Sequence, residues 1–462
     1  MNGARLSALD ASFLSVETPV AHMHVGWLAL LAPDASGTLP SFPRLREHIE
    51  HRLARAPRYR QKLAPVPFGL QAPEWVDDRG FCVDRHVYRA RGPLTELVDE
   101  IMSIPLRRDR PLWEIWACED DESRQLALVG KAHHCMVDGI AAFELGSLLL
   151  DPTPKTPAYE PDSWHAEPEP GAMALLTHGI RDLLTDQVGL LRWPMQAALA
   201  PSRTVSQLTR DVPRVARALG HALSTAPRSP LQRPLTQRRS LAWGDRPLND
   251  LRVIKRAHAT TVNDVLLAAV AGGTRAFFQH RGEEPITLKA MVPVNVRDDS
   301  DLLGNQISFM FANLPCRQHD PVDRLECVHA LIDRRKQDHE PEGAHLVLTA
   351  AQRAPRVVQE AISRIFASPR TFNLVVSNIP GPTQPLYMLG CPLRAAYPVV
   401  PLADHHTLSV GMTSINDRAC FGLYTDPTAI EDAQALLDAI DAEISALLAR
   451  SRRPRRRRTG TS

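Results

Sequence analysis

The sequence predicts an α/β protein with mixed sheets flanked by helices, arranged as two lobes joined by a long crossover linker. Three observations predict it. Apolar alternation and β-rich runs recur near 24–31, 125–132, 286–294, 305–313, 371–378, 407–414 and 418–425. Helical spacing occurs between these runs, without the regular strand–helix alternation of a doubly wound sheet. The chain has 462 residues, enough for a two-lobed body, and it changes character between 151 and 245.

The elements follow in order. Leu45, Ile49 and Leu53 share one helical face, and the apolar stretch after Gly139 reads as a second helix. Residues 151–170 hold six prolines among acids and small residues, an exposed connector. Leu175, Leu176, Ile180, Leu183 and Leu184 give 171–200 amphipathic helical spacing, and an Arg-, Ser- and Pro-rich stretch follows over 201–245. A helix is predicted across 261–280. The clearest is the last, where Leu436, Leu437, Ile440, Ile444, Leu447 and Leu448 form one stripe with acids enriched near its start. The expected division is a first lobe over 1–195, a linker over 196–245, a second lobe over 246–450 and an Arg-rich disordered tail over 451–462.

Composition excludes several classes. At 44% apolar and 23% charged, the chain is neither collagenous, low-complexity nor polytopic in a membrane. The net charge of +2 hides an asymmetry: residues 450–462 carry seven arginines and no acid, so the rest stands at −5. The body therefore has no basic bias towards nucleic acid, and no specific nucleic-acid partner is expected. Seven scattered cysteines, with no Cys-x-x-Cys pair, fit neither a disulfide framework nor a zinc site and point inside a cell. The first residues lack the apolar core of a signal peptide, and no window reaches the ~20 apolar residues of a membrane span. The expectation is a cytoplasmic protein whose membrane contact, if present, is peripheral.

The sharpest local signal is His133-His134-Cys135-Met136-Val137-Asp138-Gly139, after a β-like run and before an apolar helical stretch. A strand feeding a Gly-assisted turn into a helix holds a side chain rigidly at a sheet end. Imidazole, with an ordinary pKa near ~6.5, accepts a proton at neutral pH. Neighbouring histidines on extended backbone point to opposite sides, so one of the two faces a given cleft. A lone His-His pair reads as a hydrogen-bonded core pair; the full string in this setting reads as chemistry.

The string places the chain in a superfamily, and further segments narrow it. These are Leu6-Ser7-Ala8-Leu9-Asp10, Met23-His24-Val25-Gly26 and Pro111-Leu112-Trp113 in the first half. In the second half they are Thr261-Val262-Asn263-Asp264-Val265-Leu266-Leu267-Ala268, Val292-Pro293-Val294-Asn295-Val296-Arg297, Gly304-Asn305, Ser377-Asn378-Ile379-Pro380-Gly381-Pro382 and Phe421-Gly422-Leu423. With them the chain, from about residue 5 to 450, resembles the bacterial wax ester synthase/diacylglycerol acyltransferase family. That family lies within the CoA-dependent acyltransferase superfamily, with chloramphenicol acetyltransferase and peptide-synthetase condensation domains.

The resemblance implies two chloramphenicol acetyltransferase-like lobes with a tunnel between them, entered by acyl-CoA from one side and an acceptor alcohol from the other. It implies His134 as general base, His133 as its supporting neighbour, and Asp138, before Gly139, as an orienting residue paired with an arginine; Arg297 is the candidate partner. Asn263 and Asp264 match a second-lobe motif that lines or braces the site. The implied reaction passes a fatty acyl group from CoA to diacylglycerol or a fatty alcohol. A hydroxylated lipid or polyketide is the alternative acceptor, and a non-catalytic neutral-lipid or CoA binder the alternative class. No cofactor is implied, acyl-CoA being a substrate. The insoluble acceptor implies peripheral contact with a membrane or lipid body, through 171–200, where Trp193 lies, or through the Arg-rich tail.

The residue chemistry agrees. A positioned imidazole can deprotonate an alcohol as it attacks, worth roughly 10²–10⁴ in rate. A thioester needs no covalent enzyme intermediate, but its oxyanion needs a donor, for which Asn263 is a candidate; Asn also serves well at a helix start. Rival groupings are weaker. Cys135 diverges from His134 on extended backbone, which disfavours a thiol nucleophile. His405-His406 lacks a third metal ligand, and no metal is expected. Glu47-His48-Ile49-Glu50-His51 reads as a solvated helix face. No Gly-x-Ser-x-Gly, Walker or Gly-x-Gly-x-x-Gly segment occurs. Two positions depart from the family pattern: Asn295, where serine is common, and Ala403-Asp404-His405-His406, where a glycine-containing segment is common.

Overall fold

Strand Leu126–His133 is buried along its whole length and forms the spine of the first sheet. The computed structural model describes residues 4–119, 124–136, 148–159, 161–181, 213–214, 216–217, 219–221, 224–295, 307–352 and 356–452. On one side of the spine lies His24–Leu31, antiparallel, with His24 opposite His133. On the other lies Trp113–Glu119, also antiparallel, followed by Val87–Arg91 in parallel. The remaining edge is filled from far along the chain: Cys391–Val399 pairs antiparallel with His24–Leu31, and the short Tyr387–Met388 lies outside it.

The second six-stranded sheet runs in the order Ile307–Leu314, Leu288–Asn295, Leu374–Ile379, Leu408–Ile415, Arg418–Thr425, Ser240–Pro247. Leu374–Ile379 is parallel to both its neighbours and every other pair is antiparallel, so this sheet too is mixed. A small third sheet joins Ala4–Arg5, Glu74–Asp77 and Gln61–Ala64. Each large sheet has its own apolar core, with Trp113, Leu28 and Val129 in the first and Val265, Leu408 and Ile440 in the second.

The helix Val262–His280 shows why these residues choose this structure. Thr261 Oγ1 accepts from the Asp264 N–H while the Asp264 carboxylate accepts from the Thr261 N–H, a reciprocal cap that satisfies two otherwise orphaned donors. Everything from Asp264 to Thr274 is then buried, packed on Ala433–Ser451. The acids expected near the start of that last helix lie just ahead of its first turn: Asp432 caps it, accepting from the Ala435 N–H, with Glu431 before it.

Two expectations change. The stretch 196–245, read as linker, ends inside a strand: Ser240–Pro247 closes the second sheet beside Arg418–Thr425. Its Gly and Pro hide the alternation. The second lobe also gives a strand back to the first sheet, since Cys391–Val399 lies in 246–450. Close approach holds that crossing together. A Cβ on Gly422 would fall 2.1 Å from the Pro398 carbonyl oxygen, so only glycine lets the two backbones meet there. Of the amphipathic region 171–200, residues 172–181 form a helix whose Leu175 is buried against Ala64 and Val76; Trp193 lies outside the described residues. No helix among the described residues is long and apolar enough to cross a membrane.

Candidate active site

His133 and His134 stand at the end of the spine strand, where three quoted segments of the first half converge. The His133 N–H donates to the Leu112 carbonyl at 2.9 Å, and the His134 N–H to the Met23 carbonyl at 2.9 Å. The Met136 N–H then closes a turn on the His133 carbonyl at 2.9 Å. Pro111-Leu112-Trp113 is itself fixed, because the buried Trp113 donates its indole N–H to the Tyr59 carbonyl at 2.7 Å. Met23 holds a left-handed conformation, φ 49°, which is costly for a residue with a Cβ and marks a backbone over-determined by its surroundings.

The third segment comes from the N-terminus. Ser7 caps the helix Ala8–Val16 by accepting from the Asp10 N–H at 3.0 Å. One turn later Phe13 lies flat on the His134 ring, centroids 3.6 Å apart and planes within 11°. The ring is thereby held by its face.

The two histidines diverge as extended backbone requires: His133 is buried and His134 half-buried. His133 Nδ1 accepts from the Cys135 N–H at 3.1 Å, which leaves the proton on Nε2. Nε2 points to Glu17 Oε2, 3.7 Å away, and Glu17 is in turn ion-paired with Arg108. Burial first, then the Arg108 and His134 charges, holds the His133 pKa well below its ordinary value, so this ring is neutral at pH 7. His24, across the ladder from it, is depressed by the same dominant cause. Nearby, Lys131 buries its ammonium under the Ile101 and Ile104 carbonyls, both at 2.8 Å, and beside Glu114 at 3.2 Å. Phe13, Glu17 and Arg108 carried no signal in the sequence, since each meets the histidines only through the fold.

Burial pushes the Cys135 thiol up to about 12, so it holds its proton and is no nucleophile. His406 is likewise structural: Nδ1 and Nε2 lie 2.9 and 3.1 Å from the Asp404 and Phe372 carbonyls, and burial lowers its pKa to about 4. Among the described residues no cluster could hold a metal ion. His48 corrects the solvated reading of 47–51. It shares the face of Leu45 and Ile49, is fully buried, and bonds the Tyr159 hydroxyl and the Leu149 carbonyl at 3.0 and 2.8 Å.

Asp264 braces the second half: besides its cap, it bonds His329 Nδ1 at 2.9 Å. Asn263 is half-buried in the first turn of that helix, which Thr261 caps. Asp138, Gly139 and Arg297 lie outside the described residues.

Residues 6–266 match the wax ester synthase/diacylglycerol acyltransferase catalytic domain, and 303–448 match the C-terminal domain of the same proteins. The chain is 32% identical to a Mycobacterium tuberculosis protein named as a probable diacylglycerol O-acyltransferase, covering 97% of this chain and 96% of that one. It is similar in structure to the wax ester synthase/diacylglycerol acyltransferase from Marinobacter aquaeolei VT8, with TM-score 0.68 and 25% identity over 97% of this chain and all of that one. A trichothecene 15-O-acetyltransferase from Fusarium sporotrichioides shares the fold, with TM-score 0.59 and 11% identity over 96% of this chain and 94% of that one. The chain belongs to the wax ester synthase/diacylglycerol acyltransferase family and is an acyltransferase.

Proposed function

We propose that His134 is the general base of an acyl transfer from acyl-CoA to a lipid alcohol, with diacylglycerol or a long-chain fatty alcohol as acceptor. The observation that carries this is the placement of His134: anchored through its N–H at a strand end, clamped on its face by Phe13, and not sealed in the core. A nitrogen at the ring edge takes the hydroxyl proton as the alcohol oxygen attacks the thioester carbonyl. The tetrahedral intermediate collapses by breaking the C–S bond, and the imidazolium returns its proton to the departing CoA thiolate. No acyl-enzyme is needed, in keeping with the protonated Cys135 thiol. His133, neutral and hydrogen-bonded to the turn, positions its neighbour. Asp138, paired with Arg297, orients the loop, and Asn263 is the candidate donor to the oxyanion.

In this reading 1–195 and 246–450 act as two lobes around the site. The enzyme works in the cytoplasm at a membrane or lipid-body surface, with the tail 451–462 adding cationic attraction of about 1 kcal/mol per arginine near anionic lipid. A panel of labelled acyl-CoAs with diacylglycerol, hexadecanol and a hydroxylated polyketide tests it. Triacylglycerol or wax ester is the expected product. Ester formation only on the polyketide moves the acceptor class, and no ester with any alcohol overturns the reading. Deleting 451–462 should weaken binding to anionic vesicles, as added salt does, and leave turnover of a short soluble alcohol unchanged.

A further inference from the structure

A cleft of about 550 Å³ separates the helix Ala8–Val16 from the helix Arg356–Phe366. Ala8, Ala11, Ser12 and Ser15 line one wall and Gln359 and Ser363 the other. Phe13, on the same first helix, is stacked on His134, so the cleft lies one helix away from the proposed base.

Beside this cleft lies a face that is apolar where it meets water. Of the seven large apolar side chains left exposed among the described residues, five belong to three elements that meet at the turn Val66–Gln71. Phe68 stands at the tip of that turn, 88% exposed, in a left-handed conformation at φ 58°. The helix 172–181 lies against the turn so closely that a Cβ on Gly179 would sit 2.9 Å from Val66, and it exposes Met173 and Ile180, seven residues apart on one face. The helix Arg356–Phe366 begins there too, Arg356 donating to the Gly69 carbonyl at 2.8 Å and to that of Gln71. On it Gln359, Glu360 and Ser363 line the cleft while Val358, Ala361 and Ile365 are exposed. Three arginines, Arg5, Arg356 and Arg364, line the cleft with one acid, Glu360, and Arg181 stands exposed next to Ile180.

We propose that this face docks on an anionic lipid surface, so that the cleft opens onto the layer that holds the acceptor alcohol. Phe68, Met173, Ile180, Val358 and Ile365 enter the headgroup–acyl boundary, and the arginines lie level with the phosphates. The direction of traffic rests on the acyl-transfer reading of His134; the docking itself does not.

Vesicles of phosphatidylcholine with phosphatidylglycerol, sedimented with the full-length chain, test it. The triple variant Phe68→Ser, Val358→Ser, Ile365→Ser should partition roughly tenfold less than wild type, at low salt and at high salt, where the Arg-rich tail is screened. Its melting temperature and its turnover of a short soluble alcohol should not change, while KM for vesicle-borne diacylglycerol should rise. Ile104→Ser, which removes an exposed apolar side chain elsewhere, should bind as wild type. Equal partitioning of the triple variant and wild type overturns the proposal, as does an equal loss with Ile104→Ser. Self-association that the triple variant abolishes, without vesicle binding by wild type, would instead make the face a contact between copies and also overturn it. Normal partitioning without turnover of any alcohol would sink the catalytic reading and leave the docking face standing.

Discussion

His134 is held at two points, its N–H by Met23 and its ring face by Phe13. Neither tether supplies the chemistry, so removing the imidazole should separate binding from turnover. His134→Ala is expected to lower kcat by about 10² or more with acyl-CoA affinity little changed, measured by steady-state kinetics beside direct binding. Cys135→Ala is the complementary test. Its thiol is kept protonated near pKa 12, so the variant should retain turnover within a few-fold, and in wild type Cys135 should resist alkylation at neutral pH while the exposed Cys82 and Cys327 react. A hundredfold loss on Cys135→Ala would reinstate thiol catalysis. The histidines were legible because a strand end, a turn and a glycine are all local signals. Glu17, 3.7 Å from His133 Nε2, was not, because a 116-residue separation leaves no pattern to read.

At the scale of elements, the cap of Val262–His280 carries a measurable share of the second half's stability. Thr261→Ala removes one partner of a reciprocal pair and should cost about 1 kcal/mol. Asp264→Ala should cost more, since it also leaves the half-buried Thr261 N–H and His329 ring without their buried acceptor, and a denaturant titration of both variants orders them. Equal midpoints would show that the His329 contact adds nothing. The same helix shows what a sequence reveals well: it was expected at 261–280 and observed at Val262–His280, and His24–Leu31 matched to the residue. Long apolar periodicity and a polar cap survive any context. Cys391–Val399 was invisible for the opposite reason. Its two prolines argue against a sheet position, and they are tolerated because only Tyr387–Met388 pairs on its outer flank among the described residues. Membership of the first sheet is decided by a partner more than 360 residues away.

Among the described residues, six histidines are held below their ordinary pKa, chiefly through burial: His22, His24, His48, His86, His133 and His406. Each binds a proton less readily folded than unfolded. Stability therefore falls as pH drops below about 6.5, and each contribution levels off only below its folded pKa. For His406, shifted to about 4, the full penalty is about 3 kcal/mol. Melting temperature should decline from pH 6.5 towards 4, and His406→Gln should flatten the slope by about one proton's worth. A melting curve independent of pH across that window would contradict the neutral, buried state of these rings.

The late arrival of Cys391–Val399 also sets a timetable for the nascent chain. Until that strand emerges from the ribosome, His24–Leu31 presents an unpaired edge of mostly apolar residues, the kind of template that recruits other chains. At ~5–20 residues per second, translating from His133 to Val399 takes some tens of seconds. For that interval the strand end that carries His133 and His134 exists in an unfinished sheet that must be kept from aggregating. A gene cut before residue 391 should yield insoluble protein however well its first half is packed, and supplying the missing segment later, in trans, should rescue little of it.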